Sequence, residues 1–170
     1  MNKWLWFFIC VGMITVTNAA QLTIKMYKVA KQGRGEYIGT VVAKDTQFGL
    51  LLTAHLKDLS PGPHGFHVHV NPSCGDDGMK AGGHLDPLKT NQHLGPYNSK
   101  GHLGDLPVMW VAKEGTATTP LLAPRLSIAK IENHSLMVHV QGDNYADYPE
   151  KLGGGGARLA CGVIGDENAH

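Results

Sequence analysis

The sequence predicts an all-β domain, an antiparallel sandwich or barrel of about eight strands with two long functional loops. Three observations carry this. Short runs rich in Val, Ile and Leu recur along the chain and are split by Gly, Pro and Asn. No long stretch has helical periodicity. Two extended segments, 71–106 and 141–156, carry neither pattern yet hold much of the chemistry.

In order, "LTIKMYKV" (22–29) alternates apolar and polar positions, and "EYIGTVVA" (36–43) follows a glycine-containing connection of hairpin length. "FGLLLTAHL" (48–56) is a third strand and ends before the turn "DLSPGPHG" (58–65). "FHVHV" (66–70), "PVMWVA" (107–112), "RLSIAKI" (125–131), "SLMVHV" (135–140) and "ARLACGVI" (157–164) complete the set.

The chain of 170 residues opens with "MNK", an apolar run from Trp4 to Val16 and the small residues of "TVTNAA". That order reads as a secretory signal peptide over 1–19, cleaved after Ala19 or Ala20. The run is short for a membrane span, which needs about 20 residues. Residues 20–170 then form a single domain, about 150 residues, enough for a real core. Without Lys3, 14 basic residues face 14 acidic ones. A neutral chain gives no general attraction to nucleic acid, so any electrostatic function is local. With Cys10 in the leader, Cys74 and Cys161 remain. In an exported domain these read as one disulfide, two free thiols being the alternative. Closing a loop of roughly 90 residues stabilises by roughly 4 to 5 kcal/mol in the chain-entropy view.

The histidines are the chemistry. His67 and His69 stand at i and i+2 on one strand, so both imidazoles point to the same face. That is half of a metal site, or two surface histidines beside a turn. His84, His93 and His102 follow at intervals of nine residues, with Asp105 trailing in "GHLGDLP". Three imidazoles and a carboxylate suit a closed tetrahedral zinc site that orders a loop unable to build its own core. His139 lies in "LMVHV", where an apolar residue would be ordinary, and is a candidate partner for His67 and His69.

The segments "GFHVHVNPSC", "GGHLDP", "GHLGDLP", "LMVHVQGDNYADYP" and "GGGGARLACGVIG" occur in this order along the chain. Together they resemble the copper/zinc superoxide dismutase family in its bacterial periplasmic branch. The resemblance implies a Greek-key β-sandwich or flattened barrel. It implies copper held by His67, His69, His84 and His139, and zinc held by His84, His93, His102 and Asp105. His84 would bridge the two ions and act with Arg158 in catalysis. Asp143 would link a copper histidine to a zinc histidine from outside the ligand shell. Arg158 would draw the superoxide anion to the copper site, and Cys74 and Cys161 would form the family's disulfide. The implied activity is dismutation of superoxide to dioxygen and hydrogen peroxide in the periplasm.

The alternative is a copper storage or delivery protein on the same fold. Such a protein favours thiolates or thioethers for Cu(I) and has no need of Arg158 or a bridging histidine. "GGGG" (153–156) lacks the Gly-Lys-Ser/Thr of a phosphate loop and reads instead as a close approach to the copper channel, with Lys151 beside it as a steering charge. His55, His64, His134 and His170 read as bystanders. Trp110 and Tyr97 are a candidate homodimer patch. No nucleic-acid partner is expected, nor a membrane one once the leader is removed.

Overall fold

The computed structural model describes residues 19–165, so residues 1–18 of the predicted leader and His170 lie outside the described residues. Among the described residues, nine strands run β1 (Gln21–Ala30), β2 (Gly33–Thr46), β3 (Gly49–Leu56), β4 (Gly62–His64), β5 (Phe66–His69), β6 (Met109–Val111), β7 (Leu121–Ala123), β8 (Ser135–His139) and β9 (Arg158–Val163). Seven form one curled sheet in the order β5-β8-β9-β1-β2-β3-β7, and β4 pairs with β6 in a second, two-stranded sheet. All pairings are antiparallel. The all-β antiparallel prediction holds, as a half-barrel closed by the smaller sheet.

Alternation explains the core. Ile24 and Met26 on β1, Val41 and Ala43 on β2, and Leu50, Leu52, Ala54 and Leu56 on β3 all turn inward and are buried. They pack with Phe66, Val68, Leu136 and Val138 from β5 and β8. β5 is an edge strand, and all four of its residues are buried. Phe66 and Val68 fill the core, so His67 and His69 must face the other way. What covers them is the long segment 71–106, which folds back along this edge. Val68 N–H donates to the Gly104 carbonyl at 2.9 Å, Leu85 N–H to Val68 at 2.8 Å, and Val70 N–H to Gly83 at 3.0 Å. The edge is thereby satisfied and the loop is registered against the two histidines.

Three expectations are corrected. Residues 125–131 are not a strand: after β7 the chain turns and enters the short helix α1 (Ile128–Ile131). Ile128 and Ile131, three apart, both face the core, and the Ile128 N–H is capped by the Asp45 carboxylate at 2.8 Å. The three-residue strands β4 and β7 were too short to show any period. β4 lies inside what reads as a turn, where Pro63 pairs across to Trp110.

Cys74 and Cys161 form a disulfide. It ties the start of the long loop to β9, and around it pack Ala81, Met137, Val29 and Val163. Replacing both cysteines with alanine is expected to lower the unfolding free energy by about 2–5 kcal/mol. Urea unfolding monitored by circular dichroism checks this; an unchanged midpoint would mean the loop needs no staple.

Candidate metal centre

β5 delivers His67 and His69, the end of β8 delivers His139, and the folded-back loop delivers His84, His93, His102 and Asp105. All seven are buried. Donor atoms of six of them form two clusters that share His67 and His84, namely His67–His69–His84–His139 and His67–His84–His93–Asp105; His102 is in neither and reaches the second only through Nδ1, 3.4 Å from Asp105 Oδ1.

Hydrogen-bond partners fix the tautomers. His69 Nδ1 lies 2.9 Å from the Gly82 carbonyl and His139 Nδ1 lies 3.2 Å from the Gly156 carbonyl. A carbonyl only accepts, so both Nδ1 atoms carry the proton. Their Nε2 atoms, 3.3 Å apart, then present lone pairs to each other. His67 Nε2 donates to Asp143 at 2.7 Å, which leaves a lone pair on His67 Nδ1, a buried atom without a hydrogen-bond partner. Three lone pairs therefore meet where protons are disfavoured. Burial, aided by the neighbouring rings, lowers His67 to about 3 and His69 to about 2, and burial lowers His139 to about 4 against the Gly156 hydrogen bond. Neutral imidazoles converging in a dry site need a metal cation between them.

The second cluster has a different electrostatic character. Asp105 Oδ1 is 3.0 Å from His84 Nδ1, 3.1 Å from His93 Nδ1 and 3.4 Å from His102 Nδ1. Burial works to raise the Asp105 carboxyl, but contacts from His102, His84 and His93 hold it far below the usual carboxylate range. His93 gives its Nε2 proton to Asp143 at 2.8 Å, so its Nδ1 would set a lone pair against a carboxylate. Burial opposes a charge on His93, yet the neighbouring carboxylates of Asp105 and Asp143 bring it up to about 9. Positive charge is demanded at this point, from a proton or a metal ion. His93 Nδ1, His102 Nδ1 and Asp105 Oδ2 are buried without hydrogen-bond partners, as metal donors are when they point at an ion rather than at each other.

His84 lies between the clusters. Its Nδ1 faces Asp105, and its ring stacks on His67 with centroids 3.9 Å apart, leaving Nε2 for the other group. Asp143 spans the pair from behind, one carboxylate oxygen on His67 and the other on His93. Gly153 makes room for it: a Cβ there would lie 1.9 Å from Asp143 Oδ1, and the residue has φ +76°. Gly155 does the same for His139, where a Cβ would lie 3.2 Å from the ring. The glycine run is thus a close-approach surface, as its sequence predicted.

A cleft of about 630 Å³ opens onto His69, His84 and His139, with Arg158 and Lys151 on its walls. Arg158 opens β9 and pairs across to His139. Its guanidinium donates to the carbonyls of Gly78 and Gly82, both in the loop stapled by the disulfide. The Gly82 carbonyl also accepts from His69.

His64 does not fit its reading as a bystander. It is buried, with Nδ1 2.6 Å from the His139 carbonyl and Nε2 2.7 Å from the Ser60 carbonyl. His64 ends β4 and Gly65 separates it from β5, so it belongs to a different strand from His67 and His69. Asp147 was also missed. Its carboxylate accepts from the main-chain N–H of His93 at 2.8 Å and of Leu152 at 3.0 Å, joining the two long loops.

The family model for copper/zinc superoxide dismutase matches residues 37–164. The chain belongs to the copper/zinc superoxide dismutase family. Among relatives in this family, a superoxide dismutase [Cu-Zn] 1 of Salmonella typhimurium is 60% identical over 153 residues, covering 84% of this chain and 86% of that protein. A superoxide dismutase [Cu-Zn] of Photobacterium leiognathi is 42% identical over 161 residues, covering 90% and 91%. The solved Cu/Zn superoxide dismutase from Brucella abortus superposes with a TM-score of 0.81 at 49% identity, covering 85% of this chain and 99% of that one. The solution structure of the monomeric enzyme from Salmonella enterica gives 0.76 at 51%, with the same coverage.

Asp143→Asn leaves one oxygen to accept from two imidazoles, so the affinity for metal is expected to fall about 10–100-fold at both clusters. Gly153→Ala is expected to act in the same direction by displacing Asp143. Chelator competition with copper and zinc checks both variants; loss at one cluster alone would contradict a shared brace.

Proposed function

We propose that the chain dismutates superoxide, oxidising one anion to dioxygen and reducing a second, with two protons, to hydrogen peroxide. Copper would be held by His67, His69, His84 and His139, and zinc by His84, His93, His102 and Asp105. The observation that carries this reading is that two donor clusters meet at His67 and His84, with His84 lining a cleft that also exposes a guanidinium. When bound, copper would supply the one-electron redox couple and zinc a fixed positive charge beside His84.

The chain's own residues do the rest. His67, His69 and His139 are strand-borne and locked by Asp143, Gly82 and Gly156, so their lone pairs stay aimed without reorganisation. His84, held at Nδ1, takes and returns a proton at Nε2, the atom that faces the cleft group. Arg158 attracts the small anion and steadies it beside His69 and His139, and its two carbonyl contacts keep the guanidinium from swinging away. Lys151, exposed on the same wall, adds to the local field.

Residues 20–170 are proposed as one exported domain working in the periplasm. Support comes from the leader pattern of 1–19, from a disulfide of the kind that persists in oxidising surroundings, and from bacterial relatives. A homodimer through Trp110 and Tyr97 is supported by the exposure of both rings, 60% and 69%. The monomeric Salmonella enterica relative weighs against it. Sedimentation of the mature protein decides between them.

Arg158→Ala is expected to cut the dismutation rate about tenfold or more and to flatten its fall with ionic strength, while copper stays bound. Pulse-radiolysis rates at several salt concentrations, with copper counted in the same samples, check this. Loss of copper would make Arg158 a scaffold for the site instead of its anion guide.

A further inference from the structure

Arg125 lies in neither long loop and matches no motif of the site. It follows β7 on the barrel wall, half-buried, two residues before the N-cap of α1. Every hydrogen bond of its guanidinium goes to a main-chain carbonyl of one loop segment. Nε donates to Pro96 at 3.1 Å, Nη1 to Asn98 at 2.5 Å and to Gly101 at 3.2 Å, and Nη2 to His102. The last of these is the peptide of the histidine whose ring points at Asp105.

That segment has little else to hold it. Residues 94–101 contain no regular structure, and Pro96, Gly101 and His102 are buried. Inward-turned carbonyls there need donors. The His102 N–H is fixed to the Gln92 carbonyl at 2.9 Å, and its C=O is fixed by Arg125, so the peptide carrying the ring is pinned at both ends. Gly101 allows the tight approach, since a Cβ there would lie 2.8 Å from Leu94 Cβ. Arg125 is itself anchored, its own carbonyl accepting from Lys130 Nζ of α1 at 2.8 Å.

We infer that Arg125 is a positioning residue of the zinc half of the centre. Through four loop carbonyls it sets the place of the His102 ring relative to Asp105, and so pre-organises the loop for zinc from the barrel side. This rests on the zinc assignment of His84, His93, His102 and Asp105. A planar fork with five N–H donors can serve carbonyls spread along a bend, whereas an ammonium cannot reach all four. The copper histidines are held by other contacts, those of Asp143, Gly82 and Gly156, so the effect is confined to one metal.

The test is zinc release to a competing chelator from the mature, oxidised protein loaded with copper and zinc, for the wild type, Arg125→Gln, Arg125→Lys and His102→Ala. Arg125→Gln is expected to weaken zinc about 10–100-fold, with copper retained in full. Arg125→Lys is expected to recover only part of that loss. Cobalt placed in the zinc site is expected to show a visible spectrum shifted in the direction of His102→Ala. Wild-type zinc affinity in both Arg125 variants overturns the inference. So does a loss of copper in the same proportion as zinc, which would make Arg125 a general stabiliser. Should Arg125→Gln not fold, Arg125→Lys is judged by the same zinc-to-copper comparison. A wild type that holds no zinc defeats the zinc assignment itself, a failure seen before any variant is made.

Discussion

The structure depends on one constraint: neutral imidazoles that cannot face one another with lone pairs alone. His69 and His139 each spend the Nδ1 proton on a carbonyl, and His67 spends its Nε2 proton on Asp143. What remains is a set of donor atoms converging in a buried space, where burial itself suppresses protonation. Each partner contact is ordinary. Their combination removes every way of satisfying the site except a metal cation. The same logic with opposite charge governs the other half, where one carboxylate gathers three Nδ1 atoms. His67 and His84 both belong to the two clusters, and that sharing distinguishes this centre from two adjacent sites.

The remainder of the fold serves this convergence. A seven-stranded sheet supplies a stiff base, and β5 is its edge, so the long loop can complete the strand's hydrogen bonding while covering its histidines. The second loop closes the opposite side, with glycines wherever a side chain would strike Asp143 or His139. Three tethers join these parts. Asp143 spans the two metal clusters, Asp147 joins the loops through main-chain amides, and the disulfide with Arg158 ties the first loop to β9. Metal binding, loop order and anion access are thus one mechanical system. Much of the loop's folding energy comes from the ions it holds.

How much of this was legible in the sequence follows from what kind of contact is involved. His67 and His69 were legible because a strand's period of two fixes their shared face, and the loop set because three imidazoles and a carboxylate have few other uses. The close-approach role of Gly153 to Gly155 could be named from composition. The disulfide followed from a count of two. His64, Asp147 and Arg125 were not legible, for one physical reason: each acts on a peptide carbonyl or amide, and every residue has those groups, so the partner leaves no mark in the sequence. The strands β4 and β7 failed for shortness. Residues 125–131 failed because Leu126 and Ile128 alternate like a strand while Ile128 and Ile131 share a helical face.

The central claim is that these seven side chains form a two-metal redox centre. It is tested most directly by counting copper and zinc per chain in the mature, oxidised protein and measuring superoxide dismutation on that same sample. The account predicts one copper and one zinc per chain, with fast dismutation that disappears when copper is withdrawn. Full occupancy without dismutation would contradict it, and would leave a protein that holds copper without cycling it.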